Sequence, residues 1–221
     1  MDRPFPRARE AGPDDLVRVL EREGIRDARV LGAFRRIPRA AFVPPELADR
    51  AYEDRPLPIA HGQVTTQPSL VARMVEGLGL QGDERVLEVG TGLGFQTAIL
   101  ATLAREVVSI ERFADLSDAA RANLTAAGIG DVRLVVGDGT LGFPELAPYD
   151  AILVSAAAPR VPGPLADQLA EGGRLVQPIG PGGAEVVTRF VKRGGRLVEA
   201  GRLTGAYFVP LVGRHGLRER A

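Results

Sequence analysis

Three glycines at alternate positions, Gly90, Gly92 and Gly94, separate two apolar runs in the stretch RVLEVGTGLGFQTAIL (85–100). This stretch constrains the fold more than any other. Val86, Leu87 and Val89 read as a strand buried on both faces, the pattern of a parallel sheet covered by helices. Thr97, Ala98, Ile99 and Leu100 continue as a helix packed on that sheet. Strand, glycine turn and helix form the first unit of an open α/β sheet, in which ligands sit at the carboxyl ends of the strands. Glycine there permits positive φ and lets a ligand approach where a Cβ would clash. Dinucleotide binders of the dehydrogenase type need G-x-G-x-x-G. Here the third glycine comes one residue early, which disfavours a nicotinamide-dependent oxidoreductase.

Composition narrows the class further. A chain of 221 residues is expected to form one domain. Lys+Arg and Asp+Glu balance at 28 each, so the net charge points neither to nucleic acid nor to an anionic membrane. The absence of cysteine excludes a disulfide scaffold, a thiol nucleophile and thiolate-bound zinc. Two distant histidines, His61 and His215, argue against a histidine metal site, and no metal is expected. The opening MDRPFPRARE has no apolar signal core, and no 18-residue apolar run occurs, so the expectation is a soluble, cytoplasmic protein.

In chain order, Asp14 or Asp15 can cap a helix carrying Leu16, Val19 and Leu20 on one face, stopped by Gly24. A second helix follows Asp27 with Val30, Leu31 and Phe34 inward, ending at Ile37-Pro38. Residues 1–55 thus read as a helical N-terminal cap. The segment 56–68, PLPIAHGQVTTQP, has three prolines, a glycine and five polar side chains; it is read as a substrate loop. The α/β core then runs over 69–221, opening with a helix over 69–77 that has Pro68 in its first turn and Leu70, Val71 and Met74 inward. Strands are expected at 106–111, 131–139, 149–159 and 172–180, with helices over 115–127 and near 164–170. Gly194-Gly195 joins two alternating strands as a hairpin. The fold class expected is α/β: a Rossmann-like, doubly wound, mostly parallel sheet with helices on both faces and antiparallel C-terminal strands.

This reading brings three carboxylates, Glu88, Glu111 and Asp138, to strand ends around one cleft. Glu111 follows Gly90 by about twenty residues, where a carboxylate can take both hydroxyls of a ribose. Asp138, in the turn Gly137-Asp138-Gly139, is placed to accept from an adenine amino group. The pattern E-x-G-x-G-x-G from Glu88 to Gly94 resembles the first motif of class I S-adenosylmethionine (SAM) methyltransferases. Taken alone it leaves a nucleotide or a merely tight turn open.

Longer motifs close that choice. From about Ile25 to Leu211 the chain resembles the protein-L-isoaspartate O-methyltransferase family. The matching stretches are IPRAAFVPPEL, LPIAHGQVTTQPSLVARM, LEVGTGLGFQTAIL, VSIER, GDG, YDAILVSAA, EGGRLVQPIG and FVPL (208–211). The loop with its GQ and QP pairs, the GFQTA stretch and the terminal FVPL are the specific ones.

The resemblance implies methylation of the α-carboxylate of L-isoaspartyl residues in damaged proteins and peptides, with D-aspartyl as a further substrate class. The ester closes to a succinimide and reopens in part to aspartate. It implies SAM as cofactor, S-adenosyl-L-homocysteine as product, and a monomer that contacts neither nucleic acid nor membrane. It assigns cofactor binding to Glu88, Gly90, Thr91, Gly92, Gly94, Gln96, Glu111, Arg112, Gly137, Asp138 and Gly139. Substrate binding falls to Val64, Thr65, Thr66, Gln67, Phe208 and Val209, with Thr66 as the catalytic hydroxyl.

The chain departs from the family pattern T-[IV]-S-x-P. Thr66 stands at the serine and Val64 at the first threonine, while Ser155 stands where threonine is frequent. The extra methyl of Thr66 stiffens χ1 and narrows the pocket. Two other readings follow: a carboxyl methyltransferase for one specific modified peptide, or a SAM-binding module without catalysis. His61 is expected in a structural or solvated role, Arg112 beside the adenosine or on the surface, and GRHGLRERA as a frayed tail.

Overall fold

The computed structural model describes residues 11–181 and 183–218. The expectations for residues 1–10 and 219–221 lie outside them.

Helix α1 (Pro13–Arg22) starts earlier than expected. Pro13 presets the first turn, and Gly12, the N-cap residue, donates its N–H to Asp15 Oδ2 at 3.0 Å. Asp14 and Asp15 therefore lie inside the first turn, and the buried face is Leu16, Val17 and Leu20, not Val19. Helix α2 (Ala28–Arg36) is capped by Asp27, whose side chain accepts from the Arg29 and Val30 N–H groups. Its start is tied to the next helix because Glu76 Oε1 accepts from the Arg26 and Asp27 N–H groups, each at 2.7 Å. Two 3₁₀ turns follow (Arg39–Phe42 and Pro45–Arg50).

The proline-rich segment is more ordered than a loop. Strands β1 (Leu57–Pro58) and β2 (Val64–Thr65) pair antiparallel, making 57–65 a small hairpin strap. Helix α3 (Pro68–Leu78) leaves it, buries Val71, Ala72, Met74, Val75 and Leu78, and ends at Gly79 in the left-handed region. Leu70, expected inward, is only half-buried because it faces an open cleft.

The main sheet has seven strands: β3 (Arg85–Val89), β4 (Glu106–Glu111), β5 (Val132–Val136), β6 (Tyr149–Val154), β7 (Leu169–Ile179), β8 (Glu185–Arg193) and β9 (Arg196–Ala206). Their order is β5-β4-β3-β6-β7-β8-β9. The first five are parallel neighbours, while β8 and β9 add antiparallel edges. Gly194 and Gly195 both take positive φ (58° and 73°) at the β8–β9 turn, as a two-residue hairpin requires. Strand β7 starts directly after helix α6 (Gly163–Gln168), earlier than the expected 172, because Leu169 already pairs with Tyr149 across a bulge.

Alternation along the central strands divides the core. Val86, Ala151 and Leu153 face the layer of α1, α2, α3 and helix α4 (Phe95–Ala101), to which Leu124 of helix α5 (Ala114–Ala126) also belongs. Leu87, Val89, Ile152 and Val154 face the other side with Leu165 of α6 and Leu211. That side is covered thinly, by α6 and irregular segments. Phe34 meets Phe95 edge-on at 5.5 Å, an aromatic contact of about 0.5–1.5 kcal/mol that fastens α2 to α4. The strand order reverses at β3, between β4 and β6, so the glycine turn opens at the topological switch point.

The tail is not frayed as far as Arg218. Arg214 N–H donates to Asp138 Oδ2 (2.7 Å), His215 N–H to Thr140 Oγ1 (3.1 Å) and Leu217 N–H to the Leu211 carbonyl (2.7 Å). These are backbone amides, so a polar side-chain composition did not prevent docking.

Candidate active site

Gly90, Gly92 and Gly94 take φ of 100°, 56° and 93°, a turn that L side chains would strain. Gly90 N–H donates to the Ile110 carbonyl (2.9 Å), continuing the sheet into the turn. Gly92 N–H donates to Glu111 Oε2 (2.9 Å), and Phe113 N–H to Glu111 Oε1 (3.1 Å). The Glu111 carboxylate is thereby fixed at the end of β4 with lone pairs to spare on both oxygens.

A cavity opens above this turn. Its walls include Gly90, Thr91, Gly92, Gln96, Glu111, Arg112 and Gly139, and on the strap side Val64, Thr65 and Thr66. A Cβ on Gly139 would run into Val89, so only glycine permits that approach. The strap crosses the cavity: Ile59 Cδ1 lies 3.7 Å from where a Gly92 Cβ would be. It is fastened at His61, whose φ is 58°, whose Nε2 lies 2.8 Å from Asp115 Oδ2, and whose ring stacks on Phe113 at 4.1 Å. The Asp115 carboxyl is held below its ordinary range by that hydrogen bond. The Arg112 guanidinium sits over the Phe113 ring at 4.8 Å.

A second cavity adjoins the first, lined by Gln67, Leu70, Arg73, Tyr207 and Phe208 among others. Val64, Thr66, Ser155 and Val209 line both. Thr66 Oγ1 has no hydrogen-bond partner among the described residues, whereas its carbonyl accepts from Arg39 Nη2 (3.2 Å). Gln67 donates to Asp54 Oδ2 and Ser69 Oγ, each at 3.0 Å, pinning the strap to the start of α3. The FVPL segment is held beside the end of β6, with Ala157 N–H donating to the Val209 carbonyl and Leu211 N–H to the Ala157 carbonyl.

Four residues assigned to the cofactor stand elsewhere. Glu88 lies beneath the glycine turn, fully buried, accepting from Thr97 Oγ1 (2.5 Å), Ser109 Oγ (2.6 Å) and Gln96 Nε2 (2.8 Å). Burial pushes its carboxyl up to about 7, against the pull of those donors. Its side chain points into the sheet's helix-covered face, where Ser109 is its register partner on β4. Asp138 is not among the residues lining the cavity, and its oxygens accept from Thr140 N–H and O–H and from Arg214 N–H. Burial works against that carboxylate, but these donors outweigh it and hold its pKa below the ordinary range. Gly137 continues the sheet, donating to the Glu111 carbonyl, and Gly94 packs on Ala120. Sequence reasoning missed Phe42 and Phe113 in the first cavity and Arg73 in the second, and it placed Ile59 and Gln63 at the site only as part of the loop over 56–68. Phe113, two residues past Glu111, was the one with a local signal.

The donor set fits SAM: a fixed carboxylate for a ribose diol, apolar faces at Ile110, Phe113 and Leu116 for an aromatic base, and side-chain-free backbone at the turn. Among the described residues no group of three His, Cys, Asp or Glu is placed to hold a metal ion.

A sheet of this order, with an acidic and glycine-rich turn at its switch point, defines a class I SAM-dependent methyltransferase. The family model described as Protein-L-isoaspartate(D-aspartate) O-methyltransferase matches residues 11–216, and the chain belongs to that family. It is 53% identical to the protein-L-isoaspartate O-methyltransferase of Methanoculleus marisnigri over 96% of this chain and 95% of that one. With the Dictyoglomus turgidum protein of the same name it shares 47% identity over 92% of each. A solved protein-L-isoaspartate O-methyltransferase superposes with a TM-score of 0.81 at 32% identity, covering 92% of this chain and 67% of that one. A Plasmodium falciparum structure described as a protein of this kind, in complex with S-adenosyl-L-homocysteine, also gives 0.81, at 26% identity over 92% and 99%.

Proposed function

We propose that the chain transfers the SAM methyl group to the α-carboxylate of L-isoaspartyl residues in proteins and peptides, with Thr66 holding that carboxylate. The observation that carries the placement is Thr66 itself: its hydroxyl is unpartnered among the described residues and it borders both cavities. When bound, SAM supplies a methyl group on a sulfonium, which leaves as a neutral thioether. Glu111 takes the ribose hydroxyls, and Gly90, Gly92, Gln96, Arg112 and Gly139 shape the rest of the cofactor cavity. An α-carboxylate is already ionised at pH 7, so no side chain has to remove a proton. The work left to the protein is to desolvate the anion and hold it in line, which is proximity and orientation. The second cavity, between Gln67, Phe208 and Val209, takes the flanking peptide.

In this reading residues 1–221 act as one unit: a helical part over 1–55, a substrate strap over 56–68 and a cofactor-binding core over 69–221. It works as a cytoplasmic monomer without nucleic acid or membrane. No helix among the described residues is long and apolar enough to cross a membrane. The test is methyl transfer from radiolabelled SAM to an isoaspartyl peptide beside its aspartyl twin. Label on the first alone supports the proposal, and equal or absent label rejects it. Calorimetric SAM binding with no turnover on either peptide would point to a silent module or to a dedicated modified-peptide substrate.

A further inference from the structure

Ser155 follows β6 and is fixed there by its N–H, which donates to the Val89 carbonyl at 2.8 Å. Its side chain lies against Gly90, whose Cβ, if present, would be 3.3 Å from Ser155 Cβ. Gln96 Nε2 donates to Ser155 Oγ (2.8 Å) and to Glu88 Oε1 (2.8 Å). With Glu88 ionised, the amide orientation is dictated by it, since the reverse would set an amide oxygen against a carboxylate oxygen. Gln96 Oε1 is accordingly left buried without a partner. Ser155 Oγ is thus an acceptor in that bond, and its own proton has no acceptor among the described residues.

Thr66 and Ser155 therefore present two unspent hydroxyl donors at the boundary between the two cavities. A carboxylate offers two oxygens, and one hydroxyl satisfies one of them. We propose that Ser155 is a second catalytic hydroxyl, donating to one oxygen of the substrate carboxylate while Thr66 donates to the other. Such a clamp fixes the rotation of the carboxylate about its C–C bond and selects an anion over a neutral amide. The reacting oxygen forms its bond to the methyl carbon as the carbon–sulfur bond breaks, the electron pair going to sulfur. Neither hydroxyl loses its proton.

This rests on the function proposed above. The test is binding of a fluorescein-labelled isoaspartyl peptide in saturating S-adenosyl-L-homocysteine, with single-turnover methylation measured in parallel. Ser155→Ala should weaken the peptide by roughly 10-fold or more, the loss of one hydrogen bond to a charged group. Ser155→Thr should restore it. The peptide whose α-carboxylate is replaced by a carboxamide should bind the parent and Ser155→Ala alike, a result a merely structural role would not give. Parental binding of the isoaspartyl peptide by Ser155→Ala overturns the role. So does a matching loss of S-adenosyl-L-homocysteine affinity, because Ser155 would then serve only to anchor Gln96. A parent that does not distinguish isoaspartyl from aspartyl peptide overturns the function and this role together.

Discussion

Arg39 Nη2 donates to the carbonyl of Thr66 at 3.2 Å, from a guanidinium that is fully buried. The same group donates to the carbonyls of Ala51 (2.8 Å), Glu53 (3.2 Å) and Arg55 (3.2 Å), so one side chain gathers the 3₁₀ segment and the strap. Burial lowers its pKa to about 10, with Asp54 and Glu53 pulling the other way, and it stays charged at pH 7. Lysine cannot span four carbonyls with a planar fork. Arg39→Lys should destabilise the fold by about 3 kcal/mol in urea unfolding, the scale of breaking a buried charged network. It should also slow methyl transfer more than it weakens SAM, because the strap end that carries Thr66 loses its tether. Unchanged stability would show that the carbonyls do not depend on Arg39.

Glu88 makes a pH prediction with a definite sign. Its folded pKa of about 7 lies above the ordinary 4.5, so between those values the folded state holds the extra proton. Its contribution is fully present below pH 4.5 and is lost as pH rises through 7. The window is worth about 3 kcal/mol. Glu88→Gln should remove that fall, so the stability difference between pH 5 and pH 8 should change by up to that amount relative to the parent. Identical pH profiles would mean that the donors from Thr97, Ser109 and Gln96 keep Glu88 ionised throughout.

Sheet and turn were legible because their signals are local. Strand β4 falls at 106–111 as read, and the Gly194-Gly195 turn announces its hairpin through two residues that tolerate positive φ. The position of Glu111, an acid ending a buried strand, was readable for the same reason. The protein partners of Glu88 and Asp138 were not legible, because a carboxylate at a strand end can serve the interior as well as a ligand. The partners that decide it, Thr97, Ser109 and Arg214, come from other parts of the chain. Arg39 shows the same limit: its acceptors are backbone carbonyls, which composition does not mark. Ser155 shows it again, since the value of its hydroxyl depends on Gln96 across the turn.

Glu111→Ala should weaken SAM by roughly 1.5–3 kcal/mol in calorimetry, the scale of hydrogen bonds to a charged group, while the protein stays folded. Glu111→Gln should lose less, because one oxygen can still accept from Gly92 N–H. Gly92→Val should abolish binding for a different reason, as its φ of 56° is strained for a branched residue. Undiminished affinity in Glu111→Ala would remove the ribose assignment.

His61→Ala tests the strap. The His61–Asp115 pair is exposed, so its loss should cost global stability little. The stacking on Phe113, a wall of the cofactor cavity, is lost as well. Release of S-adenosyl-L-homocysteine in stopped flow should therefore quicken by a few-fold (on the order of 1 kcal/mol). An unaltered release rate would mean the strap does not gate that cavity.

Thr66→Val is nearly isosteric and removes one hydroxyl from the boundary of the two cavities. If that hydroxyl holds the reacting carboxylate, SAM affinity should be unchanged and the single-turnover rate should fall about 10–100-fold, equivalent to ~1.4–2.7 kcal/mol. The strap should not move, because its anchors are the Thr66 carbonyl on Arg39 and the Gln67 side chain on Asp54, and neither uses the hydroxyl. Thr66→Ser keeps the donor and discards the crowding methyl, so it should stay active and gain most on isoaspartyl residues flanked by bulky side chains. A Thr66→Val enzyme that methylates isoaspartyl peptide at the parental rate would leave the strap in the site and take the carboxylate away from Thr66.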